Sequence, residues 1–299
     1  MHQKPYLSGS SMRSFFRYTY YPFLLVITVL VTWSMSQWID PIYYSIIPFA
    51  LIVICLPIFI YGERYLPYRP EWNGVHEDTK SDFLRTILVL PVGLKSAEFL
   101  MPLLFYYPVL WMHDSYGTLS HFFDYGFAAQ VLLLLLASEF FYYWFHRATH
   151  EITFLWRFHA VHHGAHRVYW MNAGRFHLVE AFFSGMFYFL PVLFLGPEPE
   201  VAIMVVSISS ITGFLEHINV DFEAGWLNYV FNSAQLHRWH HSRIIKESNT
   251  NYGKILILWD LLFGTFYLPK NKHVGEVGTV ENDVPVDFIG QGKYPFERR

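Results

Sequence analysis

Long apolar stretches separated by short charged ones run along most of this chain, and their lengths set the first expectation. Tyr18 to Ile39 lies between Arg17 and Asp40, Pro41 to Gly62 lies between Asp40 and Glu63, and neither run holds a Lys, Arg, Asp or Glu. A helix needs roughly 20 such residues to cross a bilayer, so each run predicts a span. The first is no cleaved signal peptide: its apolar core is too long, it lacks a small-residue cleavage site, and a second span follows at once. Further apolar segments run from about Leu84 to Met112, from Tyr125 to Phe145 and from Ala181 to Leu215, the last broken into a hairpin by Gly196-Pro197-Glu198-Pro199-Glu200. Lys95 and Glu98 sit in the middle of the Leu84 segment. Charges inside a span are costly unless paired or placed in a polar cavity, so this segment reads as either a span or a re-entrant element.

Composition agrees with the pattern. Of 299 residues, 53% are hydrophobic and only 15% are Asp, Glu, Lys or Arg, well below the roughly 25% charged residues of soluble domains. The expected fold is all-α: a multi-pass transmembrane bundle of about four to six spans or half-spans. The net charge of −3 comes from mixed signs without a basic stripe, which gives nucleic-acid binding no support. Cys55 is the only cysteine, so neither an intramolecular disulfide nor a Cys-rich metal motif is available.

Charge also orients the chain. Lys4, Arg13 and Arg17 in the N-terminal arm face no acid, which places that arm in the cytoplasm by the positive-inside tendency. Counting spans from there returns the chain to the cytoplasm at Glu63 to Asp82, at His146 and at His217. With no repeat or low-complexity linker, one continuous domain is expected. It divides into membrane-anchoring helices at 1–124, a region at 125–269 whose histidine clusters lie in a cytoplasmic helical cap, and a solvated tail at 270–299.

Eight of the sixteen histidines fall in three short clusters: FHRATHE with His146 and His150, FHAVHHG with His159, His162 and His163, and LHRWHHS with His237, His240 and His241. On a helix, i and i+4 point about 40° apart while i+3 falls on the other side of i by about 60°. Each cluster can therefore present its imidazoles together, and neutral imidazole ligates Zn, Fe, Cu and Ni. His177 and His217 are further ligand candidates, and His166 is a weaker one. Lone histidines such as His76 and His273 read as surface or hydrogen-bonded residues. A catalytic zinc site commonly uses three protein ligands, so ten imidazoles divide better into five on each of two metals, each with an open position. Two divalent ions held by neutral ligands need compensating charge at a membrane interface. Glu139, Glu180 and Glu216 lie seven residues before His146, three after His177 and beside His217. They are expected to orient the ligands and offset the metal charge. Two other readings stay open: a zinc-dependent lipid hydrolase, and a non-enzymatic membrane protein binding haem or metal.

These motifs resemble the membrane fatty acid hydroxylase and sterol desaturase superfamily, most closely its bacterial sterol desaturase-like members. The carriers are Glu139 with His146 and His150, Trp156 with His159, His162 and His163, and Asn172 with Arg175 and His177. They continue through His217-Ile-Asn219, His237-Arg-Trp-His240-His241, Asn251-Tyr-Gly253 and Trp259-Asp-Leu-Leu-Phe-Gly-Thr265. Gly164, Leu178 and the proline-free approach to His237 depart from the usual pattern, which bears on the subfamily and substrate. The resemblance implies an integral-membrane oxygenase, of the bacterial inner membrane, in which the ten histidines hold two Fe ions. These activate O₂ to hydroxylate or desaturate an unactivated C–H bond of a lipid, whether sterol-like, hopanoid, carotenoid or acyl/alkyl. Zinc outcompetes ferrous iron at nitrogen donors, so mis-metallation with zinc is expected. No dinucleotide fingerprint or Cys cluster is present, so the two electrons require a separate reductase, ferredoxin or cytochrome.

Overall fold

The computed structural model describes residues 11–116, 124–281 and 283–297. It is helical throughout, with isolated bridges but no strand among the described residues. Six helical segments are long and apolar enough to cross a membrane. They are α1 (Ser11–Ser36), α2 (Ile46–Tyr65), α3 (Thr79–Leu84) running through a π turn at Arg85–Val89 into α4 (Leu90–Tyr116), α5 (Phe127–Glu151), α7 (Leu178–Leu195) and α8 (Pro199–His217). The short α6 (Thr153–His163), α9 (Ala234–His240), α10 (Ile245–Ser248), α11 (Leu258–Phe263) and α12 (Phe288–Lys293) make the cap at one end.

Local chemistry sets the turns. The α7–α8 hairpin turns where Gly196 adopts φ 58° after the last residue of α7, and Pro199 opens α8 at a position that needs no N–H donor. Helix α8 is the most buried of the six spans, and α3–α4 the least. Tyr21 and Leu24 of α1, Leu51 and Phe59 of α2, and Ile211 and Leu215 of α8 share one core. A second core joins Leu134 and Tyr142 of α5 to Tyr188 of α7 and Val205 of α8.

The spans alternate in direction so that six helix ends meet at the cap. Arg13 near the start of α1 donates to the carbonyl of Tyr65 at the end of α2 (3.2 Å), and Arg17 pairs with Asp221 and Glu223 just past α8 (3.3 Å each). At the far end Tyr44 donates to Glu200 (2.8 Å). All the histidine clusters therefore stand on one face of the bundle.

Lys95 and Glu98 form an exposed i, i+3 pair at 2.5 Å. Gly93 packs on Ala181 and Ala97 on Gly185, in the first two turns of α7, so the pair stands level with the cap-side turns of α7. The Leu84 segment is one continuous helical path.

The tail is where the structure departs most from expectation. Residues 270–281 and 283–297 are docked on the cap: Val274 and Val277 are buried with Trp72, Val168 and Trp239, and α12 is held by Arg85, which donates to Gln291 (2.6 Å) and to the Phe288 carbonyl (2.8 Å). Two valines and one glutamine in a polar stretch carry this docking, a signal that average composition hides. Beneath the cap, Asp78 and Asp82 pair with the buried Arg167 and Arg175, with Arg175 at 2.8 Å from both. These ions leave water only because each has a partner.

Candidate metal centre

Helix α5 continues past the apolar run that ends at Phe145, and its last turns carry His146 and His150 into the cap. Helices α6 and α9 meet it there. The result is two adjoining groups of imidazoles: His146, His150, His159, His163 and His240 in one, His162, His217, His237 and His241 in the other. Within each group the donor atoms all lie within 4.8 Å of one another. The HxxHH spacing explains the division. His159 and His163, four apart, serve the first group, and His162 points to the second; His237 and His241 serve the second, and His240 the first. The groups touch where the His163 and His241 rings stack at 4.3 Å.

Tautomers decide what the convergence means. A carbonyl oxygen can only accept, so an imidazole whose Nδ1 faces one must carry its proton there and leave a bare lone pair at Nε2. His146 donates in this way to Tyr252 (2.7 Å), His240 to Thr250 (2.7 Å) and His217 to Gly213 (3.2 Å). Yet His146 Nε2 lies 3.0 Å from His240 Nε2 and 3.1 Å from His159 Nε2, and His217 Nε2 lies 3.2 Å from both His162 Nε2 and His241 Nε2. Lone pairs set face to face repel unless a cation lies among them. Nitrogens bound at about 2.0–2.1 Å to one ion stand about 3.0 Å apart at right angles and about 3.4 Å in a tetrahedron. The donor set fits a metal in each group. Burial also pushes His159, His162, His163, His237, His240 and His241 well below their ordinary range, which keeps them neutral and ligand-competent.

His177 stands apart from both groups. Its Nδ1 accepts from Val179 N–H (3.2 Å) as the N-cap of α7, and its Nε2 faces the Gly292 carbonyl (3.2 Å). Nine of the ten expected imidazoles are thus brought together, five and four rather than five and five. His166 is likewise outside the groups.

The three acids differ in what they touch. Glu180 contacts His159 Nδ1 directly. Glu216 comes within 3.9 Å of His237 Nδ1, too far for a hydrogen bond. Glu139 touches no imidazole: its Oε2 accepts from the backbone N–H groups of Lys254, Ile255 and Leu256 at 3.0, 2.8 and 3.2 Å. It orients the loop, not a ligand. Asp260 grips the same loop from the other side, accepting from Tyr252 N–H and Gly253 N–H (both 2.8 Å) and from Thr265 (2.6 Å). A Cβ at Gly253 would run into the Leu256 carbonyl. Asn251, at φ 55°, bonds Leu236 and Tyr267, and Asn249 faces His150 Nδ1 (3.2 Å). Histidine spacing does not single out these loop residues; the Asn251-Tyr-Gly253 and Trp259–Thr265 motifs that carry the family resemblance do, and the positive φ of Asn251 marks a special turn.

The fold and this centre define a multi-pass helical membrane protein with a polyhistidine site able to hold metal. The fatty acid hydroxylase family profile matches residues 131–265, from α5 through α11, the region that carries all nine converging histidines. The chain is 33% identical over 269 residues to ornithine lipid hydroxylase OlsE of Rhizobium tropici, covering 88% of this chain and 76% of that protein. It is 35% identical over 129 residues to alkylglycerol monooxygenase of Xenopus tropicalis and 33% identical over 131 residues to that of Homo sapiens, spanning 28% and 29% of their lengths. No solved structure matches. This chain belongs to the fatty acid hydroxylase family.

Proposed function

We propose that this protein is a di-iron lipid hydroxylase that inserts one oxygen atom of O₂ into an unactivated C–H bond of an acyl or alkyl chain, the other atom leaving as water. The convergence of bare Nε2 lone pairs in two adjoining groups carries this reading. His146, His150, His159, His163 and His240 would hold one iron, and His162, His217, His237 and His241 the other. Bound iron supplies the O₂ chemistry.

The remaining residues set up that centre. Glu180 fixes the ring of His159 and offsets charge, while Glu216 offsets charge beside His237. Glu139 and Asp260 hold the loop whose Tyr252 carbonyl sets the tautomer of His146. Aromatic helices α5 and α7 present the site to the bilayer, and the names of the relatives, an ornithine lipid hydroxylase and alkylglycerol monooxygenases, favour a polar lipid with long chains over a sterol, hopanoid or carotenoid. A separate reductase, ferredoxin or cytochrome supplies two electrons. The cap of α6, α9, α10 and α11 with the docked tail faces the cytoplasm of a bacterial inner membrane.

Two measurements test the reading. Iron-reconstituted protein should hold about two irons per chain, as nine imidazoles in two groups require, and should add a hydroxyl to a membrane lipid when supplied with electrons. One tightly held zinc, with activity that needs neither iron nor O₂, would overturn it.

A further inference from the structure

A cavity of about 170 Å³ lies beyond the C-terminal end of α5, bounded by the first turn of α6, residues 242–249 and residues 278–281. Its rim is exposed at Glu151, Thr153 and Glu281, and its floor includes His150 and His163. Those two belong to the five-histidine group, and His150 is the only one of the nine grouped imidazoles that is not fully buried. No member of the four-histidine group lines the cavity.

The walls mix polar and apolar side chains, and their positive charge is matched. Arg243 is engaged by Glu276 at 2.7 Å and donates its other N–H groups to the carbonyls of Thr279 and Val280 (3.2 and 3.3 Å). Glu151 pairs with Arg147 at 2.7 Å. Glu281 adds a further carboxylate to the rim.

We propose that this cavity is the aqueous loading port of the centre, conducting hydrated divalent cations to the five-histidine group. The inference rests on the metal-binding reading above. Lipid chains and O₂ dissolve in the bilayer and can approach between apolar helices. A hydrated cation cannot, because stripping its water in hydrocarbon is prohibitively costly. It needs a polar path on which shed waters are replaced stepwise by protein oxygens and then imidazoles. The path here ends at one group only, so the two groups should fill and empty at different rates.

The test uses full-length, metal-free protein in detergent micelles and Co²⁺ alone, followed by ligand-field absorption on uptake and by release to EDTA. Two phases are expected, one ion per phase. Thr153→Trp, placed at the exposed rim to narrow the opening, should slow the fast phase and leave the final stoichiometry unchanged. Glu281→Lys should slow it about tenfold at low salt, the lower end of electrostatic focusing in a cleft, and the difference should shrink as salt screens the rim. Should Thr153→Trp fail to fold, Glu281→Lys decides alone. Wild-type uptake and release rates in folded variants would overturn the port while leaving the metal centre standing. A wild-type protein that takes up no Co²⁺ would overturn both.

Discussion

His146 Nδ1 donates to the carbonyl of Tyr252 across 106 residues of sequence at 2.7 Å, and the Tyr252 N–H is itself held by Asp260 at 2.8 Å. The loop therefore sets which nitrogen of His146 is free. Both Asp260 oxygens accept from backbone N–H groups, so Asp260→Asn must turn an NH₂ toward a donor. Metal affinity or turnover should fall by roughly 10–100-fold, the usual cost of losing such support. Glu139 makes all three of its bonds through Oε2, with Oε1 unpartnered, and Gln can keep that arrangement. Glu139→Gln should lose about tenfold at most on the same scale. Metal titration of both variants checks the order; a larger loss in Glu139→Gln would contradict it.

His240 and His177 separate ligand from cap. His240→Ala removes a lone pair from the five-histidine group and should abolish turnover and reduce bound iron, measurable by metal analysis. His177→Ala should keep the iron and cost about 1 kcal/mol of stability, typical of a lost N-cap. Thermal unfolding would show that loss, and His177→Asn should restore it. Iron loss in His177→Ala would return that residue to the ligand set.

Acid should destabilise the metal-free protein. Burial holds His159, His162, His163, His237, His240 and His241 well below the ordinary value of 6.5. Below that value the unfolded chain binds protons that the folded chain does not. The stability these groups contribute is therefore fully present above about pH 6.5 and is lost as pH falls, at up to about 1.4 kcal/mol per pH unit for each group. Melting temperature measured against pH should be flat near neutrality and drop below it. A melting temperature that rises on acidification would refute the neutral-imidazole assignment.

Topology is testable with the single cysteine. In a Cys55→Ser background, a cysteine replacing the exposed His166 should react with impermeant reagent only from the cytoplasmic side, in inside-out vesicles. Labelling only from the exterior would invert the assignment made from Lys4, Arg13 and Arg17.

Spans and histidine boxes were legible in the sequence because both follow simple periods: uncharged runs of bilayer length, and imidazoles three and four apart. The allocation of His159 and His163 to one group and His162 to the other follows from the same 40° and 60° offsets. The place of His177 outside both groups is not legible, because a histidine before a helix looks the same in sequence whether it ligates a metal or accepts from Val179 N–H. Glu139 shares a helix face with His146, as the seven-residue spacing indicates, but spacing cannot show that the 254–256 backbone captures its carboxylate first. The docking of the tail is not legible in sequence because Val274, Val277 and Gln291 are diluted by polar neighbours.

The nine imidazoles come from α5, α6, α8, α9 and His241 just past α9, with residues as distant as His146 and His240 sharing one group. An ion seated there would act as a cross-link, closing loops of up to about ninety residues and removing their freedom from the opened state, as a disulfide does. The chain's lone cysteine leaves covalent stapling unavailable. Stripping the metal should then loosen the cap from the ends of the spans while the spans themselves stay inserted, and proteases added from the cap side should cut first between residues 218 and 257.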